Sequence, residues 1–412
     1  MKSQTKLMYA DYIIQAGLLV FVIFSPFSIA GAQFGLGIGL FGWIVKIICS
    51  RKLDWTDSYL EKPFLVYLIA LLVSAFFAYN RLNSFKAVGD EWLALIFFLV
   101  ACNLKDLRFT KKLFFVIIVI SSLVAIYAVW QHYTGIDLYR GRMLKIAPGT
   151  THFRSTGNFS ISLTYGFYAM LVGILSFCLA VYEKLKWKKY LFYFSSVLCA
   201  TANLFTYSRS TLLAQLVVVF AFFILNWKKK KLLIAVLAYF ILIYAIDPQI
   251  LFRSQKAIQS QDLQQADIRT TIWTTSFKIF LHHPVTGVGF NNFGGFYDKY
   301  KPKGSPTFGH AHNDPLNVAA NAGIIGLVAF VWLLFSILKG LFKILNQAKQ
   351  DLHVSVSNAV LLCFMAYLVS SQFQCYYIDA VDGLILFFVL GLGQTVDNYY
   401  GQAGRIQSID SA

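Results

Sequence analysis

Charged residues are few. They make up 13% of the 412 residues, against 58% hydrophobic. A soluble chain of this length cannot hide that much apolar surface, which excludes a water-soluble globular domain. Carboxylates are scarcest: 19 Asp and Glu stand against 36 Lys and Arg, for a formal charge of +17. That surplus does not collect on one folded basic face, as nucleic-acid binding requires. Lys and Arg sit instead in short segments between apolar runs, as orienting charges do. Cysteines number 6, at 49, 102, 178, 199, 363 and 375. All lie in or beside apolar runs and none has C-x-x-C spacing, so they read as small apolar fillers, with neither a disulfide framework nor a metal cluster. There is no internal repeat and no low-complexity tract beyond Lys228–Lys231. No cleavable leader stands out, and the first apolar run is long enough to be a span itself.

What is present is a series of apolar runs. A span needs roughly twenty apolar residues. The runs predict twelve spans, at 11–28, 31–49, 63–79, 86–102, 113–133, 162–182, 190–206, 211–227, 232–247, 315–338, 356–375 and 379–397. With the N-terminus cytoplasmic, nearly every cytoplasmic loop is basic: Arg51, Lys52 and Lys62; Lys105, Arg108, Lys111 and Lys112; Lys184, Lys186, Lys188 and Lys189; Lys228 to Lys231; Lys339, Lys343 and Lys349. A miscount by one span would put Lys228–Lys231 outside, against the positive-inside rule. The chain therefore reads as a single all-α membrane domain over 1–402, with both termini cytoplasmic, an outer loop at 248–314 between spans nine and ten, and a tail at 403–412.

Two outer segments are basic against that rule: 134–161, with Arg140, Arg142, Lys145 and Arg154, and the loop 248–314. Long loops are exempt from the rule, or an anionic ligand lies outside. Arg209, in Thr206-Tyr-Ser-Arg-Ser-Thr211, sits between two apolar runs with almost no loop around it. It either snorkels to headgroups or is a fixed cation at a polar cavity, where its planar fork of donors suits phosphate. Ile268, Ile272, Thr275 and Ile279 recur at helical spacing and predict an amphipathic helix over 266–280, stopping at His282-His283-Pro284 and carrying Arg269 one turn before Trp273. Gly287-Val-Gly289 is by itself a weak signal. His310-Ala-His312-Asn-Asp314 runs straight into Pro315 and a membrane helix. Its spacing invites zinc, but it has no partner cluster; His312 as a general base at the membrane edge is the other reading. Small residues at Ala319, Ala320, Ala322, Gly323 and Gly326 allow close helix packing, and Asn317 and Asn321 can bond across helices or line a cavity.

The ordered set resembles the O-antigen ligase and polymerase superfamily. It comprises Thr-Tyr-Ser-Arg-Ser at 206–210, Arg269 four residues before Trp273, His283-Pro-Val-Thr-Gly-Val-Gly-Phe-Asn-Asn-Phe293, His310-Ala-His-Asn-Asp-Pro-Leu316 and Asn-Ala-Gly-Ile-Ile-Gly-Leu at 321–327. Phe153-Arg-Ser-Thr-Gly-Asn-Phe159 also resembles a stretch before the sixth span. The resemblance is strongest over 200–330 and departs from the pattern at Asp314. It implies a C-type glycosyltransferase fold, with the large loop periplasmic, in a bacterial inner membrane. It also implies transfer of a glycan from undecaprenyl pyrophosphate to a lipid A–core sugar hydroxyl or another glycan acceptor, with inversion and with neither metal nor cofactor, by a monomer. By the same resemblance Arg209 and Arg269 face the pyrophosphate, His312 is the essential base, and His310 and Asn313 bind substrate; Arg154, Arg140 and Arg142 are further candidates for phosphate. The rivals are a polymerase with the same chemistry, a transferase to protein, and a glycolipid flippase or solute transporter. Transporters, however, tend to show repeats and helices broken at mid-membrane.

Overall fold

The computed structural model describes residues 2–147, 149–248 and 262–410. The part of the expected outer loop at 249–261, and the last two residues of the expected tail, lie outside the described residues. Among the described residues the fold is all-α, apart from one two-stranded hairpin. In chain order the helices are α1 (Lys2–Phe24), α2 (Ile29–Ser50), α3 (Glu61–Phe76), α4 (Arg81–Gly89), α5 (Leu95–Asn103), α6 (Leu107–Thr134), α7 (Ser162–Tyr182), α8 (Lys186–Phe205), α9 (Arg209–Leu225), α10 (Lys231–Ile246), α11 (Asp262–His282), α12 (Phe293–Tyr300), α13 (Asp314–Gln347), α14 (Asp351–Ser370) and α15 (Ala380–Asp410). The hairpin pairs Ile136–Asp137 with Arg142–Met143.

Helix ends follow local chemistry. Ser28 caps α2 by accepting from the Gly31 amide at 3.1 Å, Asp106 caps α6 from the Arg108 amide at 2.8 Å, and Gly135 ends α6 at φ 72°. These are the side-chain acceptor and left-handed residue that orphan helix-end groups require. α7 is buried along nearly its whole length, which makes it the central post. α2 sits at the rim and shows Phe34, Phe41, Ile44 and Ile48 to the outside. An apolar outer belt of this kind belongs in lipid, not water.

Among the described residues, seven helices are long and apolar enough to cross a membrane: α1, α2, α6, α7, α13, α14 and the first part of α15. A helix also occupies each of the other predicted spans. However, α3, α9 and α10 have only 16, 17 and 16 residues, and α8 opens on three lysines. The run at 86–102, expected as one span, is broken. α4 ends at Gly89, a 3₁₀ turn covers Asp90–Ala94, and α5 follows. The cause is chemical. Asp90 and Glu91 fall inside the run, and Glu91 turns inward to accept from the Tyr377 hydroxyl at 3.0 Å.

α13 is broken as well. Gly323 has φ 63° and ψ −161° inside it, which only glycine adopts at little cost. The break frees backbone groups that must be satisfied internally, and the turn after α11 satisfies them. The amides of Val288 and Gly289 donate to the carbonyls of Ala320 and Asn321 at 3.1 and 2.9 Å, while Ile324 donates to Pro284 at 2.8 Å. A Cβ on Gly287 would lie 2.3 Å from the Asn321 backbone. The Gly-Val-Gly stretch is thus a helix-break clamp, and the small residues of α13 do more than allow packing.

The outer segment has its own core. α11 runs as expected through 266–280 and ends at His282. It buries Ile272 and Ile279 against Val288, Phe293, Tyr297 and Ala311. Each such burial is worth about 1.5–3 kcal/mol, enough to make the described part of 262–313 a packed cap. The bundle therefore has two unlike ends. At one, Lys105 pairs with Asp54 at 2.9 Å and Lys184 with Asp351 at 2.8 Å. At the other lie the cap, the start of α9 and the segment between α14 and α15.

Candidate functional site

The segment that organises the site is not one the sequence singles out. The turn at 371–379, between α14 and α15, touches Arg269, His312 and Asn313 and reaches the neighbour of Arg209. Phe373 lies beneath Arg269, whose guanidinium carbon is 6.0 Å from the ring centre. Gln374 Oε1 bonds to His312 Nδ1. The Tyr376 hydroxyl is 2.9 Å from Ser210 Oγ, beside Arg209. Tyr377 reaches Glu91 through its hydroxyl and donates its amide to Asp314 Oδ2 at 3.1 Å.

His312 is held tightly. Its φ is 49°, a left-handed conformation that costs a non-glycine residue of order 1–3 kcal/mol and persists only when neighbours over-determine it. Here they do. The Ala311 amide donates to Asn317 Oδ1 at 3.1 Å, and the His312 amide donates to His310 Nδ1 at 3.3 Å. Asn313 caps α13 through the Leu316 amide at 2.9 Å and donates to the Gln372 carbonyl at 3.1 Å. Asp314, the departure noted above, is a buried anchor that also accepts from the Tyr367 hydroxyl at 3.2 Å. Tyr207 and Asn291, in the adjoining turns, are left-handed too.

The electrostatics keep both histidines neutral at pH 7. Burial first, then the Arg269 charge, push His312 below its ordinary value, with the Gln374 bond opposing. Burial and then His312 push His310 down to about 4. With Gln374 Oε1 as acceptor, the His312 proton sits on Nδ1, and Nε2 carries the lone pair. That is the tautomer a general base needs, with its other nitrogen oriented by a fixed partner.

The arginines separate into three groups. Arg269, on α11, is half-buried and coupled electrostatically to His312. Arg209 is exposed at the first turn of α9. Arg154 approaches it through the chain: its Nε donates to the Thr206 carbonyl at 3.1 Å, and the next residue, Ser155, donates its amide to Phe205 at 3.0 Å. Burial lowers the Arg154 pKa. Arg140 and Arg142 behave otherwise. Arg142 pairs with buried Asp137 at 2.9 Å and donates to the Ser160 carbonyl at 2.8 Å, while Arg140 donates to Asn158 at 3.3 Å. Their bonds go to the chain itself, as structural staples.

A polar cavity of about 300 Å³ opens beside the His312 turn, lined by Glu91, Asn317, Asn321, Tyr377 and Asp379 among others. Sequence reasoning missed Glu91, Gln374, Tyr377 and Asp379. The signal available was the density of polar and aromatic residues between two apolar runs. A second cavity, of about 160 Å³ and almost wholly apolar, lies among α7, α8, α9 and α10.

Helices, apolar rim and site together define an all-α polytopic membrane protein, with its fixed cations and a neutral histidine at one end. Residues 194–331 match the family model described as O-antigen ligase, and this supports the O-antigen ligase superfamily for the chain. The match supports glycan transfer of the ligase or polymerase type in general, on lipid-linked glycans in a membrane. It encloses Arg209, Arg269, His310, His312 and Asn313, and leaves out Arg140, Arg142, Arg154 and the turn at 371–379. No curated protein matches the chain.

Proposed function

We propose that this protein is an O-antigen ligase. It moves a glycan from undecaprenyl pyrophosphate to a sugar hydroxyl of lipid A–core, at the periplasmic face of a bacterial inner membrane. The Lys-rich end of the bundle is then cytoplasmic, both termini lie on that side, and the helices make about twelve crossings. His312 Nε2 takes the proton from the acceptor hydroxyl, a contribution of about 10²–10⁴-fold. The hydroxyl oxygen attacks the anomeric carbon once, with inversion, and the bonding pair leaves with the pyrophosphate. Arg209 and Arg269 stabilise that charge as it develops, which is when stabilisation raises the rate. The step uses no metal. Arg154 supports Arg209, and the polar cavity receives the acceptor sugar.

The observation that carries this reading is the turn at 371–379. Through Phe373, Gln374 and Tyr376 it ties Arg269, His312 and the start of α9 into one unit. The transport reading gains the two broken helices described above, but both breaks are clamped by local bonds and no repeat accompanies them. The test is transfer in vitro from a lipid-linked glycan, with EDTA present, to lipid A–core on one hand and to a second lipid-linked glycan on the other. Transfer to lipid A–core supports the ligase, extension of the lipid-linked glycan alone makes it a polymerase, and no transfer to either overturns both.

A further inference from the structure

A group of titratable side chains outside this site stands at the junction of α6, α10 and the segment before α7. His132 is fully buried at the last turn of α6, Asp247 is 3% exposed just after α10, and His152 is half-buried in the segment between α6 and α7. One ligand atom from each lies within 4.8 Å of the others. His132 Nε2 is 3.0 Å from Asp247 Oδ2, and His152 Nε2 is 3.9 Å from Asp247 Oδ1.

The hydrogen bonds of His132 restrict what can sit there. Its Nδ1 is 3.0 Å from the Phe153 carbonyl, which can only accept, so Nδ1 carries a proton. A neutral ring then turns its Nε2 lone pair towards a carboxylate oxygen, acceptor against acceptor. The contact requires a proton, carried by the ring or by the carboxyl group, or a metal ion between them. The position of His152 favours the metal, because it brings a second imidazole nitrogen to the other oxygen of the same carboxylate. The Phe153 carbonyl favours it too. A ligating histidine almost always gives its other N–H to such an acceptor, which fixes the tautomer and aims the ring. Phe205, stacked on the His132 ring at 3.8 Å and 5°, holds the ring plane.

We propose that His132 Nε2, His152 Nε2 and the Asp247 carboxylate bind one divalent transition-metal ion of the zinc type. Two imidazoles and a carboxylate form a donor set that zinc accepts, with ligand bonds of about 2.0–2.2 Å. Tetrahedral ligands at that length stand roughly 3.4 Å apart. The observed 3.0 and 3.9 Å straddle this, and no pair in the group is more than 4.8 Å apart, so the three ligand atoms are close enough for modest side-chain shifts to close around one ion. The ion is structural. It pins the ends of α6 and α10 to the segment that continues into Phe153 and Arg154, and Arg154 grips Thr206, three residues before Arg209. The site does not depend on the glycan-transfer reading, and it takes no part in the chemical step proposed above.

The test uses the full chain, purified in nanodiscs with a tag that holds no histidine, exposed to zinc and desalted. Elemental analysis is expected to find one zinc per chain in the native protein and less than a tenth of that in His152→Gln and Asp247→Asn. His152→Gln changes a half-buried turn residue, so it keeps the variant comparison informative where Asp247→Asn fails to fold. A chelator is expected to lower the melting temperature of the native protein by several degrees and leave that of His152→Gln unmoved. Zinc well below one per chain in the native protein, or undiminished in His152→Gln, overturns the proposal and leaves a buried, hydrogen-bonded His132–Asp247 pair.

Discussion

Two segments of this protein put arginines at the same end of the bundle, yet they use them differently. In 134–161, Arg142 is drawn to buried Asp137 and to the Ser160 carbonyl, and Arg140 to the Asn158 carbonyl. In the cap, Arg269 lies over the Phe373 ring and its charge acts on His312. A guanidinium bonded to a buried carboxylate and to backbone carbonyls becomes a staple. An aromatic ring attracts a guanidinium without neutralising it, and the charge of Arg269 reaches His312. Residue type alone does not distinguish these fates; the surroundings do.

The sharpest way to break this comparison is to remove the residues on each side of it. His312→Ala and Arg209→Ala are expected to reach the membrane folded and to lose at least about 10²-fold in transfer rate, the scale of a general base or a charge-stabilising donor. Normal transfer by either variant would sink the assignment. Arg142→Ala is expected to keep its turnover and lose stability instead. It leaves Asp137 a buried carboxylate without its cation, a cost of about 1–3 kcal/mol, partly discounted because Arg142 is itself well exposed. Asp137→Asn on top of Arg142→Ala is expected to recover much of that loss in a thermal melt. Gly287→Ala tests the clamp under the cap. Its Cβ would meet backbone at 2.3 Å, at φ +67°, so a stability loss of about 2–4 kcal/mol is expected. A melting temperature within a degree of native would show that α13 closes its break without the turn.

The all-helical membrane plan, the unlike charge of the two ends and the main members of the candidate site are legible in the sequence, because each carries its own local signal. Arg209 stands out where an apolar run should continue, α11 declares its period, and the His-x-His motif abuts a span. What joins them is not legible. Gln374 meets His312 from 62 residues away, and Tyr376 meets Ser210 from 166. Gln and Tyr are common residues, and only the packing of α14 and α15 against α7 and α9 gives these two a role. The breaks at Asp90–Ala94 and Gly323 were hidden for the opposite reason. Apolar runs continue across both, so composition reads a span, while the carboxylate of Glu91 and the clamp at 284–289 decide the backbone path. His132, His152 and Asp247 form no motif, being brought together only by the ends of three separate elements.

The smallest expected effect is the most specific probe of how Arg269 acts. In the proposed reaction His312 works unprotonated, and its pKa is below the ordinary histidine value. Transfer is therefore expected to be full at neutral pH and to fall away as pH drops through that lowered value. Gln374 opposes the shift and Arg269 contributes to it, so the two partners move the acid limb in opposite directions. Gln374→Leu removes a bond that favours the charged ring, and the limb of kcat/KM is expected to move to lower pH. Arg269→Gln removes a repelling cation, so the His312 pKa is expected to rise. Because that variant is expected to lose turnover, its shift is read from the pH dependence of diethyl pyrocarbonate acylation at His312, located by mass spectrometry. The same measurement on Arg142→Gln is expected to leave the His312 titration where it was. An Arg142→Gln shift as large as that of Arg269→Gln would mean that the two segments share one electrostatic field, and the distinction between staple and site would fail.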